Sequence, residues 1–196
     1  MCDNHITKSA LADSMKKLMN EIPMKKISIS QIVGACNMNR QSFYYHFKDK
    51  YDLVNWIYYT EFIITIQDSD LGKFEFLERA CKYFYENKNF YQNAFQVSCQ
   101  NCFSEYFSET TQNILKKQLE ESFKNKKYVD FYVVFYAEAI QVSIARWLRE
   151  GVKIPHDDFV QLLKNAVFKF ADYIIDWQNL DIVILLSKFT TNIIFV

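Results

Sequence analysis

Residues 27–53 read ISISQIVGACNMNRQSFYYHFKDKYDL and constrain the fold more than any other part of the chain. Ser28, followed three residues later by Gln31, is the pattern of a helix N-cap with its capping box. Asn37 is placed to end that helix, because asparagine tolerates the left-handed conformation of a tight turn. Asn39 is then placed to cap a second short helix over about residues 40–46. The pattern predicts two short helices joined by a tight turn.

The second of these helices separates apolar from polar side chains. Phe43 and Phe47 lie one turn apart and predict its buried face. The side chains left to face outward or sideways are those of Arg40, Gln41, Ser42, Tyr44, Tyr45 and His46. An amphipathic stripe from Ile6 to Ile22, ended by Pro23, predicts a preceding stabilising helix. Together these features predict a helix-turn-helix, whose second helix enters the major groove of DNA.

The predicted DNA contacts follow from side-chain chemistry. Arg40 and Gln41 lie at the N-terminal end of the second helix, where arginine pairs with guanine and glutamine with adenine. Contact with phosphate alone is the alternative for these two. Residues 44–46 suit phosphates, and packing on the neighbouring helix is their alternative. Lys50 and Ser28 are expected to help backbone amides hold a phosphate. The full predicted set is Ser28, Asn39, Arg40, Gln41, Ser42, Tyr44, Tyr45, His46 and Lys50.

The charge distribution supports this assignment. The formal net charge is zero, yet residues 1–50 carry +4 and the remainder −4. A basic segment on a neutral chain is expected of a module that meets phosphates.

The composition indicates helices and argues against an enzyme. There are only 3 Gly and 2 Pro, fewer than strand-rich folds and phosphate-binding loops require. The 3 His form no metal-ligand cluster, and no nucleophile elbow is present. We therefore expect no catalytic residue, no metal and no cofactor.

The cysteines and the hydropathy suggest where the protein works. Five Cys form no disulfide framework, and neither a signal peptide nor an apolar run of about 18 residues is visible. We expect a reduced, cytoplasmic protein without a membrane partner. Cys99 and Cys102 form one isolated C-x-x-C pair, which we interpret as ordinary pocket or core thiols rather than a redox or metal sensor.

Helical patterns continue through the second part of the chain. The predicted helices cover about residues 74–86, 89–96, 101–124, 128–150 and 155–177. Gly151 is placed as a C-cap residue, and Pro155 opens the last helix. The Ile, Val, Phe and Thr content of residues 181–196 favours a strand, with packing on the domain, pairing with another chain or poor order left open.

Residues 27–53 resemble the DNA-binding signature of TetR/AcrR-type transcription regulators. The most specific part is Ser42-Phe43-Tyr44-Tyr45-His46-Phe47 followed by Lys50 and Leu53, although Ser42 replaces the commoner threonine and Asn37 the commoner glycine. The pattern covers about residues 5–57. Its continuation into Trp56 and Ile57 is similar to a subgroup that includes regulators of dihydroxyacetone-kinase genes.

The resemblance implies an all-α, Ω-shaped homodimer that binds a palindromic operator on double-stranded DNA. The expected units are a helix-turn-helix domain at residues 1–50, an effector-binding and dimerisation domain at 51–178, and a tail at 179–196. A small-molecule effector would shift the spacing of the two recognition helices. The alternative is control by a protein coregulator, which the absence of a closed internal cavity would favour.

Two further residue sets are expected in the C-terminal domain. Aromatic residues there suggest an effector pocket formed by Phe95, Cys99, Phe103, Tyr106 and Tyr136, with ordinary core packing as the alternative. The resemblance implies a dimer interface on the last two long helices, formed by Phe131, Phe135, Glu138, Val142, Phe159, Leu163 and Phe170. For Glu138, an ion pair with Arg146 or a partner cation, contact with a polar effector, and simple solvation remain open.

Overall fold

The structure is a computed structural model that describes residues 2–67, 75–97, 101–122 and 129–169. Every regular element within these ranges is helical, which confirms the all-α prediction. The N-terminal elements are α1 (Cys2–Glu21), a 3₁₀ turn (Met24–Lys26), α2 (Ile29–Ala35), α3 (Arg40–His46) and α4 (Lys50–Tyr58). A π turn (Tyr59–Ile63) joins α4 to α5 (Ile64–Gln67). Then follow α6 (Glu75–Glu86), α7 (Lys88–Phe95), α8 (Phe103–Ser122), α9 (Val129–Arg149), α10 (His156–Lys164) and a second π turn (Asn165–Lys169).

The helix caps and the tight turn predicted for residues 27–53 are present in the structure. The Ser28 Oγ accepts a hydrogen bond from the Gln31 backbone at 3.3 Å, and the Gln31 side chain accepts one from the Ser28 backbone at 2.8 Å. Asn37 has a φ of 55°, the left-handed conformation expected at the turn. The Asn39 side chain accepts from the Ser42 backbone at 2.8 Å and caps α3. Each such cap stabilises a helix by about 1 kcal/mol.

A single core joins the helix-turn-helix to the first helix. Leu11 and Met15 of α1 are fully buried, as are Ile32 of α2 and Phe43 of α3. Burial of one side chain of this size contributes about 1.5–3 kcal/mol, so this shared core fixes the three helices as one unit. At the end of α3, Phe47 is only 3 % exposed and its ring packs on Phe43 with centroids 5.8 Å apart.

The π turn changes which face of the α4–α5 helix is buried. Straight α-helical spacing from Leu53 and Ile57 predicts that Ile64 also faces inward. In the structure Ile64 is 45 % exposed, while Ile63 and Ile66 are buried. A π turn spaces hydrogen-bonded residues by five rather than four, which rotates the following face. The prediction for Ile64 is wrong for this reason.

The C-terminal helices pack around aromatic side chains. The hydroxyphenyl ring of Tyr58 is fully buried, and the rings of Phe84, Phe103 and Phe107 lie 5.2–5.9 Å from it. Helix α8 packs along α9, α6 packs on α10, and α7 contacts both α1 and α9. Helix α7 therefore connects the first helix of the N-terminal unit with a long helix of the C-terminal domain.

The predicted ends of the later helices agree with the structure to within two residues where they are described. Gly151 follows α9 with a φ of 76°, and Pro155 occupies the N-cap of α10. The last part of the predicted final helix and the 179–196 tail lie outside the described residues. Among the described helices, none is long and apolar enough to span a bilayer.

Candidate nucleic-acid interface and control domain

The outer face of α3 presents large side chains to solvent. Phe43 is fully buried and anchors the helix, whereas Tyr44 is 51 % and Tyr45 80 % exposed. Arg40 and Gln41, in the first turn, are exposed as well. Adjacent exposed aromatic rings on a short, firmly anchored helix indicate a surface that meets a partner.

Hydrogen bonds along α3 order this face. The Arg40 guanidinium lies 3.5 Å from the Tyr44 hydroxyl, one turn away. Because arginine can only donate, the tyrosine oxygen is the acceptor. The Ser42 hydroxyl donates to the Asn39 side chain at 3.1 Å. Asn39, Ser42 and Ser28 thus have capping roles in the free protein, and their contacts with DNA stay predictions.

His46 lies at the C-terminal end of α3, in a partly apolar setting. Its ring packs edge-on against Tyr45, with centroids 4.8 Å apart. Partial burial of the ring lowers the pKa of His46 from its ordinary value of 6.5, and the nearby positive charge of Lys8 lowers that pKa further. The ammonium of Lys8 itself lies 5.6 Å from the centre of the Phe47 ring. His46 is therefore neutral at pH 7 in the free protein, and an adjacent phosphate would favour its protonated form.

Lys50 has a structural role that the sequence did not predict. Its ammonium donates to the backbone carbonyls of Met24 at 2.7 Å, Lys25 at 3.2 Å and Ile27 at 2.8 Å. These carbonyls belong to the turn between α1 and α2, so Lys50 ties the start of α4 to that turn. Direct contact between Lys50 and a phosphate stays a prediction, and it would compete with these bonds.

One face of α9 is apolar and exposed. Phe131, Phe135 and Val142 are 65 %, 54 % and 55 % exposed, and Val134 is 41 % exposed. Spacings of four and seven residues place Phe131, Phe135, Glu138 and Val142 on one side of the helix. Four of the predicted interface residues are thereby brought together on one surface.

The other predicted interface residues do not share that surface. Phe159 and Leu163 are each 6 % exposed and lie in the core of the protomer, with Phe159 stacked on Trp147 at 4.3 Å. Side chains covered by their own chain offer little area to a partner, and a role of these two in a dimer interface stays a prediction. Leu162, which is 55 % exposed, is an outward apolar residue of α10 that the sequence reading missed. Phe170 lies outside the described residues.

Glu138 is exposed, and within the described part of the chain it makes no ion pair with Arg146 or another cation. In the isolated protomer the Glu138 side chain is therefore solvated.

Three predicted effector-pocket residues lie in one aromatic cluster. The Phe95 and Phe103 rings are 4.9 Å apart, and the Tyr106 ring is 6.3 Å from that of Tyr58. Tyr136 lies on α9 and is 3 % exposed, with no ring contact to these three in the described structure. Cys99 lies outside the described residues, and Cys102 is buried.

Three hydroxyls in this domain are buried without a partner among the described residues. They belong to Tyr58, Thr111 and Tyr136. Burial is the main cause that raises the pKa of Tyr58 and of Tyr136, so both hydroxyls keep their protons. A buried hydroxyl without a hydrogen bond costs about 1–3 kcal/mol, which a polar ligand or water could recover.

A surface cleft of about 450 Å³ lies elsewhere, between α6 and α10. Charged side chains dominate its lining, among them Glu78, Arg79 and His156, and none of the predicted effector-pocket residues contributes.

The described structure also contains a polar contact between domains that sequence reasoning missed. The Asn93 side chain of α7 hydrogen-bonds to the backbone of Met19, Ile22 and Met24. About seventy residues separate these partners in the chain. Neither spacing nor composition signals such a contact.

Two family models match this chain. The model for bacterial regulatory proteins of the tetR family matches residues 13–57, and that for a TetR-type transcriptional regulator C-terminal region matches 74–169. The HTH-type dhaKLM operon transcriptional activator DhaS of Lactococcus lactis subsp. lactis is 30 % identical over 125 residues, which span 63 % of this chain and 66 % of the relative.

Solved structures share the fold. The dihydroxyacetone kinase operon activator DhaS superposes with a TM-score of 0.62 at 24 % identity, covering 87 % of this chain and 97 % of the other. A TetR transcriptional regulator from Streptococcus agalactiae superposes with a TM-score of 0.64 at 20 % identity, covering 84 % and 95 %.

Proposed function

The chain belongs to the TetR family of bacterial transcriptional regulators, and on that premise we propose that it binds a palindromic operator as a homodimer through α3. We infer that it belongs to the subgroup of dihydroxyacetone-kinase gene regulators, because a relative that is 30 % identical over 125 residues is the dhaKLM operon activator. The C-terminal helical domain would control the spacing of the two recognition helices.

The outer face of α3 is the observation that carries the proposal. Two buried phenylalanines hold the helix rigidly, while Tyr44 and Tyr45 remain exposed beside Arg40. A rigid support places side chains more accurately than a loop does, which suits base recognition. Arg40 and Gln41 would read base edges, and Tyr44, Tyr45 and His46 would contact phosphates.

The exposed face of α9 supports dimerisation. A stripe with Phe131, Phe135 and Val142 each more than half exposed is unusual on the surface of a monomer. In a twofold arrangement the same stripe from each copy would pack on its counterpart, which is the common geometry of homodimers. Glu138 lies on the same side of the helix, so its carboxylate would face the partner copy.

Control by a small molecule is supported by the buried hydroxyls of Tyr58, Thr111 and Tyr136. They would supply the few polar contacts that orient a ligand in an otherwise apolar site. The dense packing of Phe95, Phe103 and Phe107 favours the alternative, in which a protein coregulator acts on the surface of the domain. Thermal stabilisation of the purified protein by a screened metabolite would support the first mode, because a ligand that binds only the folded state stabilises it.

DNA binding is tested by selecting bound sites from random duplexes with the purified protein. We expect a palindromic sequence whose half-sites lie about 34–36 Å apart, or a multiple of that distance. Affinity should fall steeply with salt, because Lys and Arg displace counterions from phosphates. Tyr44→Ala should weaken binding strongly, whereas Tyr59→Ala, which removes an exposed tyrosine outside α3, should not. Absence of any enriched site at low salt, from folded and dimeric protein, would refute the proposal.

A further inference from the structure

The turn between α1 and α2 leaves several backbone groups without helical partners. Helix α1 ends because Pro23 has no N–H, so the Met19 carbonyl cannot receive the usual hydrogen bond from residue 23. The Lys26 N–H bonds to Pro23 at 2.8 Å, which leaves the Ile22 carbonyl without that donor. The Met24 N–H likewise has no continuing helix to join. Backbone groups left unpaired at a partly buried helix end need partners from elsewhere.

Asn93 of α7 supplies all three partners. Its Nδ2 donates to the Met19 carbonyl at 2.9 Å and to the Ile22 carbonyl at 3.0 Å. Its Oδ1 accepts from the Met24 N–H at 2.8 Å. One amide therefore uses both donor hydrogens and its oxygen on a single turn, a match that no other side-chain type can reproduce in the same volume.

A second polar path links the same two helices. The Lys16 ammonium of α1 lies 2.5 Å from the Glu61 carboxylate in the π turn. The Tyr83 hydroxyl donates to Glu61 at 3.0 Å and lies 2.7 Å from the Tyr91 hydroxyl. Tyr91 lies on α7, two residues before Asn93, and is 1 % exposed. Helix α7 is thus joined to α1 directly by Asn93 and indirectly through Glu61.

The position of α7 allows these contacts to couple the C-terminal domain to the helix-turn-helix. Helix α7 also packs on α9, which carries the exposed apolar face. The α1–α2 turn leads directly into Ser28, the cap of the helix-turn-helix. A shift of α7 relative to α9 would therefore move the turn, and with it α2 and α3.

We propose that Asn93 is a positioning residue that fixes the helix-turn-helix unit on the C-terminal domain and so sets the spacing of the two recognition helices. This inference rests on the proposed function, since it assumes a dimer that binds a two-part operator. Without the Asn93 amide, the helix-turn-helix would sample several positions on the C-terminal domain. Only a fraction of these would match one operator spacing, and the apparent affinity falls by that fraction.

The experiment compares the wild type with Asn93→Ala on operators selected by the wild type and resynthesised with altered half-site separation. Each added base pair lengthens the site by about 3.4 Å and rotates the second half-site. We expect Asn93→Ala to bind the preferred spacing about ten-fold more weakly and to lose most of the discrimination against neighbouring spacings. Hydrogen exchange at the Met24 amide should also become faster, because its acceptor is removed.

Asn89→Ala is the matched control, because Asn89 is an exposed asparagine one turn earlier on α7. Asn93→Asp serves as a second variant if Asn93→Ala does not fold, because it keeps the acceptor for Met24 but places a carboxylate against two carbonyls. It should also lose spacing discrimination. A general loss of stability would lower the operator affinity equally at every half-site spacing. The dependence of affinity on spacing therefore distinguishes a positioning defect from a folding defect.

A folded, dimeric Asn93 variant with the spacing profile of the wild type would overturn the inference while leaving the proposed function intact. Failure of the wild type to bind any operator would instead refute the proposed function. In that case unchanged exchange at the Met24 amide in Asn93→Ala would also overturn the positioning role.

Discussion

Replacing Lys50 with methionine removes an ammonium group while keeping most of its aliphatic stem. The ammonium donates to three carbonyls of the α1–α2 turn at 2.7–3.2 Å, and two of these hydrogen bonds are partly buried. Hydrogen bonds from a charged donor contribute about 1.5–3 kcal/mol each. Water can replace part of the lost interaction at this half-buried position, so we expect the free energy of unfolding to fall by about 2–3 kcal/mol in total.

The assay is urea unfolding followed by circular dichroism, at equal protomer concentration for all variants because the stability of a dimer depends on concentration. The melting temperature should fall by roughly 5–10 °C for a chain of this size. Lys48→Met is the matched control, since Lys48 is an exposed lysine two residues earlier. It should change the unfolding free energy by less than about 0.5 kcal/mol.

Operator binding distinguishes the two roles considered for Lys50. If the main role of Lys50 is to hold the turn, Lys50→Met lowers the free energy of unfolding. The salt dependence of operator binding by this variant then resembles that of the wild type. An unfolding free energy within about 0.5 kcal/mol of the wild type, together with a shallower salt dependence of binding, would refute this reasoning. Lys50 would then be the phosphate ligand that the sequence pattern predicts.

Two further predictions concern the dimer and the recognition helix. Phe135→Asp should convert the proposed dimer to a monomer in light scattering, because it places a charge in the exposed apolar stripe of α9. Ile154→Asp, at a 39 % exposed position before α10, should leave the proposed dimer intact. A dimeric Phe135→Asp would contradict the proposed interface. Operator affinity should rise as the pH is lowered toward the pKa of free His46, which lies below 6.5, and level off below that pKa, because an adjacent phosphate would raise the pKa and binding would then take up a proton. His46→Gln should flatten this pH dependence, and an unchanged slope would rule out His46 as a phosphate contact.

The sequence alone was sufficient to predict the helix-turn-helix, because the residues that cap its helices interact with close neighbours in the chain. Ser28 and Gln31, like Asn39 and Ser42, are three residues apart and meet within the first turn of their own helix. The alternation of buried and exposed residues in α3 follows from helical periodicity alone. These local patterns also carry the family resemblance, which the family models confirm.

Sequence periodicity did not predict which apolar residues of the later helices are buried, because tertiary contacts decide that. Phe131 and Phe159 both lie on helices with apolar stripes, yet one is 65 % exposed and the other 6 %. Their patterns are alike, and only the packing of α10 against α6 and Trp147 buries Phe159. The π turn is a similar case, because it moves Ile64 outward without a recognisable sequence signal.

The sequence by itself therefore determined the all-helical class, the helix-turn-helix and the two faces of its second helix, because caps and periodicity depend on neighbours within a few residues. Only the tertiary structure decided that the side chains of Lys50 and Asn93 hydrogen-bond to the α1–α2 turn. It also decided which apolar helical face remains exposed. These features depend on side chains that meet across 23 to 74 residues of sequence. No local pattern encodes such contacts, since they arise only when packed helices bring a donor to a carbonyl that its own helix has left unpaired.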